Sequence, residues 1–215
     1  MGVLLLALGW TGWAVLHSLL IHPRWVTWCT QRHPGLRPWY RLLYNCVALA
    51  TLLPLFAYKY SLSAQHLPPH VLMAWPWWLT PLRWLGLAWV LFLAWAGAKA
   101  YDLGWISGLS QLRCADDQPA PQQKCTPQLH TNGILGLVRH PWYSAGLVLL
   151  WVRVTRFDLP ELVTSLILSI YLVLGTWLEE QKLRAHYGRA YQHYQNAVPM
   201  FFPRLRRRQG HHDLP

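Results

Sequence analysis

The chain has 215 residues, 53% of them hydrophobic and only 13% charged, with 15 tryptophans and a formal net charge of +11. Soluble domains carry about 25% charged residues, so this composition excludes an ordinary globular domain, and its apolar content excludes a disordered chain. Nearly uncharged runs alternate with basic connectors, which is the composition of a small polytopic membrane protein.

In chain order, residues 1–21 hold no Lys, Arg, Asp or Glu, and 42–58 and 84–98 are also uncharged. Residues 140–152 form a shorter run, and 159–178 carries only Glu161. A bilayer core takes about 20 mostly apolar residues per helix. The first, second and fifth runs meet that length, and the third and fourth reach it with their flanks. The expected fold is therefore all-α: a polytopic bundle of about five transmembrane helices with a cytoplasmic C-terminal helix, because backbone in lipid must satisfy its own hydrogen bonds. The chain reads as one integral membrane domain over 1–215, with N-terminal spans and a loop in 1–132, a site-bearing part in 133–203 and a basic tail in 204–215. No basic stretch precedes the first run, and Trp10, Trp13 and His17 interrupt it, so a retained first helix is expected rather than a cleaved leader.

With five spans, 15 of the 19 basic residues fall on one side, among them Arg24, Arg41, Arg139, Lys182 and Arg204. Lys59, Arg83, Arg153 and Arg156 fall on the other. The positive-inside rule then puts the N-terminus outside and the C-terminus in the cytoplasm, as in a bacterial inner-membrane protein. The charge is read as topology and attraction to anionic lipid, with RLRRR at 204–208 part of it and no nucleic acid expected. Cys29, Cys114 and Cys125 fall in cytoplasmic connectors and Cys46 in a span, where reducing conditions argue against disulfides. Their spacing makes no zinc motif, and no metal is expected.

Polar groups at membrane depth are candidates for function. His17-Ser18 sits near the end of the first run, either as an interfacial pair or as part of a site. Asp102 and Gln111 flank the stretch YDLGWISGLSQ. Further on, GLVRHPWYSAG places Arg139, His140 and Tyr143 at the start of the fourth run, with Pro141 suited to a helix's first turn. Free amides there beside Arg139 suit an anion, and positive-inside anchoring accounts for the same residues. Glu179 and Glu180 follow at the end of the fifth run. Helical neighbours point about 100° apart, so the two carboxylates take different roles. Glu180 stands four residues before Arg184, the favourable order for a surface pair, which leaves Glu179 to face inward. Tyr187, Tyr191 and Tyr194 share one helical face.

RHPWYSAG at 139–146 and EEQKLRAHYGRAYQHYQNAVPMFFP at 179–203 resemble the C-terminal signature of the isoprenylcysteine carboxyl methyltransferase-like membrane enzymes. LHSLL at 16–20, YRLLYN at 40–45 and YDLGWISGLSQ at 101–111 are similar to a narrower branch, the methanethiol S-methyltransferases and NnrU-type proteins. Residues 112–130 carry no resemblance.

The resemblance implies S-adenosylmethionine as cofactor, bound at the cytoplasmic side between the last spans and the C-terminal helix. It implies Arg139, His140 and Glu179 as catalytic residues. Cofactor contacts would come from Arg139, His140, Pro141, Tyr143, Glu179, Glu180, Tyr187 and Tyr191. A substrate pocket would be lined by His17, Tyr44, Asn45, Tyr101 and Gln111. Its expected activity is methylation of a small thiol, methanethiol to dimethyl sulfide. The alternatives it carries are carboxyl O-methylation of a prenylated cysteine or other lipophile, and an NnrU-like protein of nitrogen-oxide metabolism without methyl transfer. The expected partners are a small or lipophilic substrate and membrane lipid.

Overall fold

The computed structural model describes residues 1–65, 70–116, 129 and 131–204. Cys125, the side chain of Cys114 and the basic run beyond Arg204 lie outside the described residues. The helices are α1 (Gly2–Leu20), α2 (Pro23–Arg32), α3 (Tyr40–Ala64), α4 (Thr80–Ala100), α5 (Leu103–Ser107), α6 (Leu109–Asp116), α7 (Pro141–Val152), α8 (Leu159–Tyr187) and α9 (Arg189–Ala197). Two short strands, β1 (Met73–Ala74) and β2 (Arg156–Phe157), pair antiparallel. The chain is an all-α polytopic helix bundle.

Among the described residues, four helical segments are long and apolar enough to cross a membrane: Gly2–Leu20, Tyr40–Ala64, Trp77–Ala100 and Leu159–Tyr187. The fourth expected span differs. It forms α7, only 12 residues long, or about 18 Å at 1.5 Å per residue against a core of about 30 Å. Beyond Val152 the chain turns through Arg153 and pairs as β2 with β1, so α7 is the short arm of a hairpin with α8.

Local chemistry sets the boundaries. Pro141 opens α7, where its missing N–H leaves nothing unbonded. Asp158 caps α8 by accepting from the Glu161 amide at 2.8 Å, and Asp102 caps α5 through the Trp105 amide at 2.9 Å. Gly188 (φ 56°) separates α8 from α9. Gly108 has φ 97° and lies against α3, where an added Cβ would sit 2.6 Å from the Leu42 amide nitrogen. Only glycine allows that approach.

Among the described residues, two packed centres lie between the long helices. Val90 and Leu93 of α4 meet Ala145 and Val152 of α7 above Ile134, Leu135 and Val138. On the other side Leu6 and Trp10 of α1 pack on Leu62 of α3, and the Trp10 indole donates to Thr164 of α8 at 3.0 Å. Elsewhere large apolar side chains such as Leu8, Leu85, Leu91 and Ile170 face outward, as expected of a lipid-facing surface. The helix ends sort into two groups. The start of α1 lies beside the end of α3, where the Tyr58 hydroxyl reaches the Gly2 carbonyl. There Lys59 of α3 and Arg153 each bind one oxygen of Glu161, and Lys59 and Glu161 are buried. The opposite end gathers the end of α1, the starts of α3 and α7, the end of α8 and all of α9.

Candidate active site

At that second end, the segment after α9 folds back along residues 139–140. The Arg139 amide donates to the Pro199 carbonyl at 2.9 Å and the His140 amide to Met200 at 3.1 Å. The Arg139 guanidinium grips Glu180 with two bonds, Nε to Oε1 and Nη2 to Oε2, each 2.8 Å. Its Nη1 donates to the carbonyls of Gln195 (3.0 Å) and Val198. Four of its five N–H groups are thereby occupied.

Glu180 is the hub. Besides Arg139 it receives His140 Nε2 at 2.7 Å, the Tyr191 hydroxyl at 2.9 Å and the Gln195 amide. The carboxylate is only 3% exposed, and a buried charge persists where every lone pair is met. Burial and then the bond to Glu180 raise the Tyr191 pKa, which keeps its hydroxyl a proton donor. The neighbouring Tyr194 is pushed up to about 12, first by burial, and donates to the Leu135 carbonyl at 2.6 Å. The surface pair expected between Glu180 and Arg184 is replaced by this network. The 100° step then turns Glu179 the other way.

Glu179 is half-buried and lies beside a second cluster of polar and aromatic side chains. The Tyr143 hydroxyl lies within hydrogen-bonding reach of it, and Arg41 interacts electrostatically with both Glu179 and Tyr44. Tyr101 approaches from the end of α4 and packs on Trp142 with ring centroids 4.9 Å apart. Deeper in the bundle, Tyr44 hydrogen-bonds the imidazole of His17, with Nε2 the nearer nitrogen and Nδ1 at 3.1 Å. Trp13 stacks on His17 at 4.9 Å, and Tyr171 meets the same imidazole edge-on at 5.9 Å.

The sequence-derived residues thus divide. Arg139, His140, Glu180 and Tyr191 form one buried network, with Pro141 and Tyr143 in the adjoining first turn of α7. Glu179, Tyr143, Tyr101, Tyr44 and His17 belong to the second cluster. Asn45 and Gln111 instead bind the α5 backbone: Asn45 donates to the carbonyls of Ile106 and Ser107, both at 3.0 Å, and Gln111 to Trp105 at 3.0 Å. Tyr187 packs against the cluster of Tyr191, Tyr194 and Val198.

The chain is similar to the methanethiol S-methyltransferases. It is 34% identical to "Methanethiol S-methyltransferase" of Pseudomonas deceptionensis over 135 residues, which is 63% of this chain and 48% of the relative. It is 30% identical to "Methanethiol S-methyltransferase 2" of Bradyrhizobium diazoefficiens over 60% of this chain and 47% of the relative. A third relative of the first name, from a Pseudomonas species, is 28% identical over 61% of this chain and 48% of its own. The chain spans about half the length of the curated relatives it matches. No family model and no solved structure matches it.

Alongside this similarity, the geometry adds residues that the sequence reading did not assign to a site. Arg41 counted there only as a topological charge, and Tyr171, Trp13 and Gln195 were unassigned. Gln195 carried a usable signal, since it follows Tyr191 by four residues and shares its helical face. Tyr171 carried none, because its neighbours come from α1 and α3.

Proposed function

We propose that this chain is an S-adenosylmethionine-dependent membrane methyltransferase that converts methanethiol to dimethyl sulfide. The observation that carries the proposal is the divergence of Glu179 and Glu180 in a chain similar to proteins of that name. One carboxylate is locked into the fold, and the other is free to meet a ligand beside aromatic rings. The alternatives of prenylcysteine carboxyl methylation and an NnrU-like role are not favoured by the relatives' names.

The residues present suit such a cofactor. Glu179 would take its ammonium or ribose hydroxyls. The first-turn amides of Trp142 and Tyr143, which have no acceptor within their own helix, would take its carboxylate. Tyr101, Tyr143 and Trp142 offer ring faces to a sulfonium. Arg139, His140 and Tyr191 act through Glu180: they hold α9 against the start of α7 and so fix the helix ends that carry Tyr143 and Glu179. The bound group supplies an electrophilic methyl on a positively charged sulfur. Attack by a thiol sulfur then cancels or moves charge, and alignment of the two sulfur centres favours such a step. By the basic asymmetry, this end of the bundle and the C-terminus lie in the cytoplasm.

The test is direct. Membranes containing the protein are given methanethiol and S-adenosylmethionine, and dimethyl sulfide is measured in the headspace. Production above that of control membranes is expected. No thioether from protein that binds S-adenosylhomocysteine would remove the thiol substrate, and absence of both would remove the methyltransferase reading.

A further inference from the structure

Methylating a thiol releases a proton, and a site within a helix bundle needs a group to receive it. We infer that Tyr44 and His17 form a relay for that proton, with Tyr44 touching the thiol and His17 as the final acceptor. The inference rests on the thiol methyltransferase reading and deepens it.

The other described groups near this pair are less suited. Glu180 is occupied by Arg139, His140, Tyr191 and Gln195. Glu179 stands beside Tyr143 and Arg41 and is the carboxylate proposed above to hold the cofactor. Arginine has no basic form to offer. An imidazole titrates near neutrality and suits reversible proton transfer. His17 already shares a hydrogen bond with Tyr44 through Nε2, so a neutral ring protonated at Nδ1 accepts from the phenol. Among the described residues no carboxylate bonds His17, and the groups facing the pair are Tyr171 from α8 with Tyr40 and Arg41 from α3. The imidazole therefore has no carboxylate counter-charge among the described residues. Trp13 lies almost flat on it, 20° from parallel, and a tryptophan face stabilises a cation placed over it.

The step balances. The thiol sulfur forms a bond to the methyl carbon as the donor's sulfur–methyl bond breaks, with the electron pair staying on the donor sulfur. The thiol proton moves to the Tyr44 oxygen while the Tyr44 proton moves to His17. The sulfonium charge ends as imidazolium, so the site holds the same net charge before and after.

The experiment uses the full chain in membranes with His17→Gln and, separately, Tyr44→Phe. Turnover of methanethiol should fall by about 100-fold in each, the range of a lost general base, while S-adenosylhomocysteine binding persists. The relay needs neutral His17, so the wild-type rate should rise with pH through the histidine titration and then level. The variants should lose that plateau and follow the free thiolate upward. Histidine-selective NMR supplies a reading independent of turnover, since Tyr44→Phe should move the His17 titration. Variants that bind S-adenosylhomocysteine and keep both turnover and plateau would overturn the relay alone. Wild-type protein that neither binds nor turns over would overturn the methyltransferase reading and the relay with it.

Discussion

Arg139 and Glu180, 41 positions apart, meet as a bidentate ion pair with both bonds at 2.8 Å. The pair joins the start of α7 to the end of α8, and the remaining Arg139 donors tie in the chain beyond α9. Breaking a buried pair by removing one partner costs about 3–5 kcal/mol. Arg139→Ala should therefore lower the melting temperature in detergent and expose α9 to proteolysis. Arg139→Lys should restore little, since an ammonium cannot reproduce the planar fork. An unchanged melting temperature for both would contradict the clamp.

The two adjacent glutamates should separate by phenotype. Glu180→Gln leaves Arg139 without its counter-charge and should destabilise the fold. Glu179→Gln should leave the melting temperature near wild type and weaken S-adenosylhomocysteine binding, by about 1.5–3 kcal/mol if a charged hydrogen bond is lost. Calorimetric titration alongside thermal unfolding reads both, and the reverse pattern would exchange the roles assigned here.

At the other end of the bundle, Lys59 and Arg153 share the Glu161 carboxylate. Glu161→Gln leaves two cations facing each other, so it should cost about 3–5 kcal/mol. Lys59→Met should cost much less, because Arg153 still neutralises Glu161. Equal losses from both variants would mean the carboxylate is not the centre of this cluster.

Gly97 of α4 faces the Trp142 indole so closely that an added methyl overlaps Nε1. The same indole donates to the Ala94 carbonyl at 3.2 Å. Gly97→Ala should push Trp142 off this bond and away from Tyr101, at a cost of about 1–3 kcal/mol for overpacking. A blue or red shift in tryptophan emission, absent in a Trp142→Phe background, would report it.

Orientation follows from charge rather than from packing. A C-terminal reporter that works only in the cytoplasm should be active, and one that works only in the periplasm should be silent. The opposite result would reverse the sidedness of the whole site.

The all-α membrane architecture was legible in the sequence because uncharged runs and the bilayer's thickness together leave few alternatives. So was the start of α7, since Pro141 can open a helix but cannot sit inside one without cost. The 100° step between Glu179 and Glu180 was equally legible, but its phase was not. Sequence spacing offered Glu180 a partner at Arg184, four residues on, and the fold supplied Arg139 from another helix. A buried carboxylate takes the partner that satisfies both its oxygens out of water, and only the tertiary structure places such a partner. The length of α7 was decided the same way: the apolar run permitted a longer helix, and the chain leaves α7 at Val152 to pair as β2 with β1. His17, Tyr44 and Tyr171 stand on three helices. Their meeting depends on how those helices rotate against one another, which no local periodicity specifies.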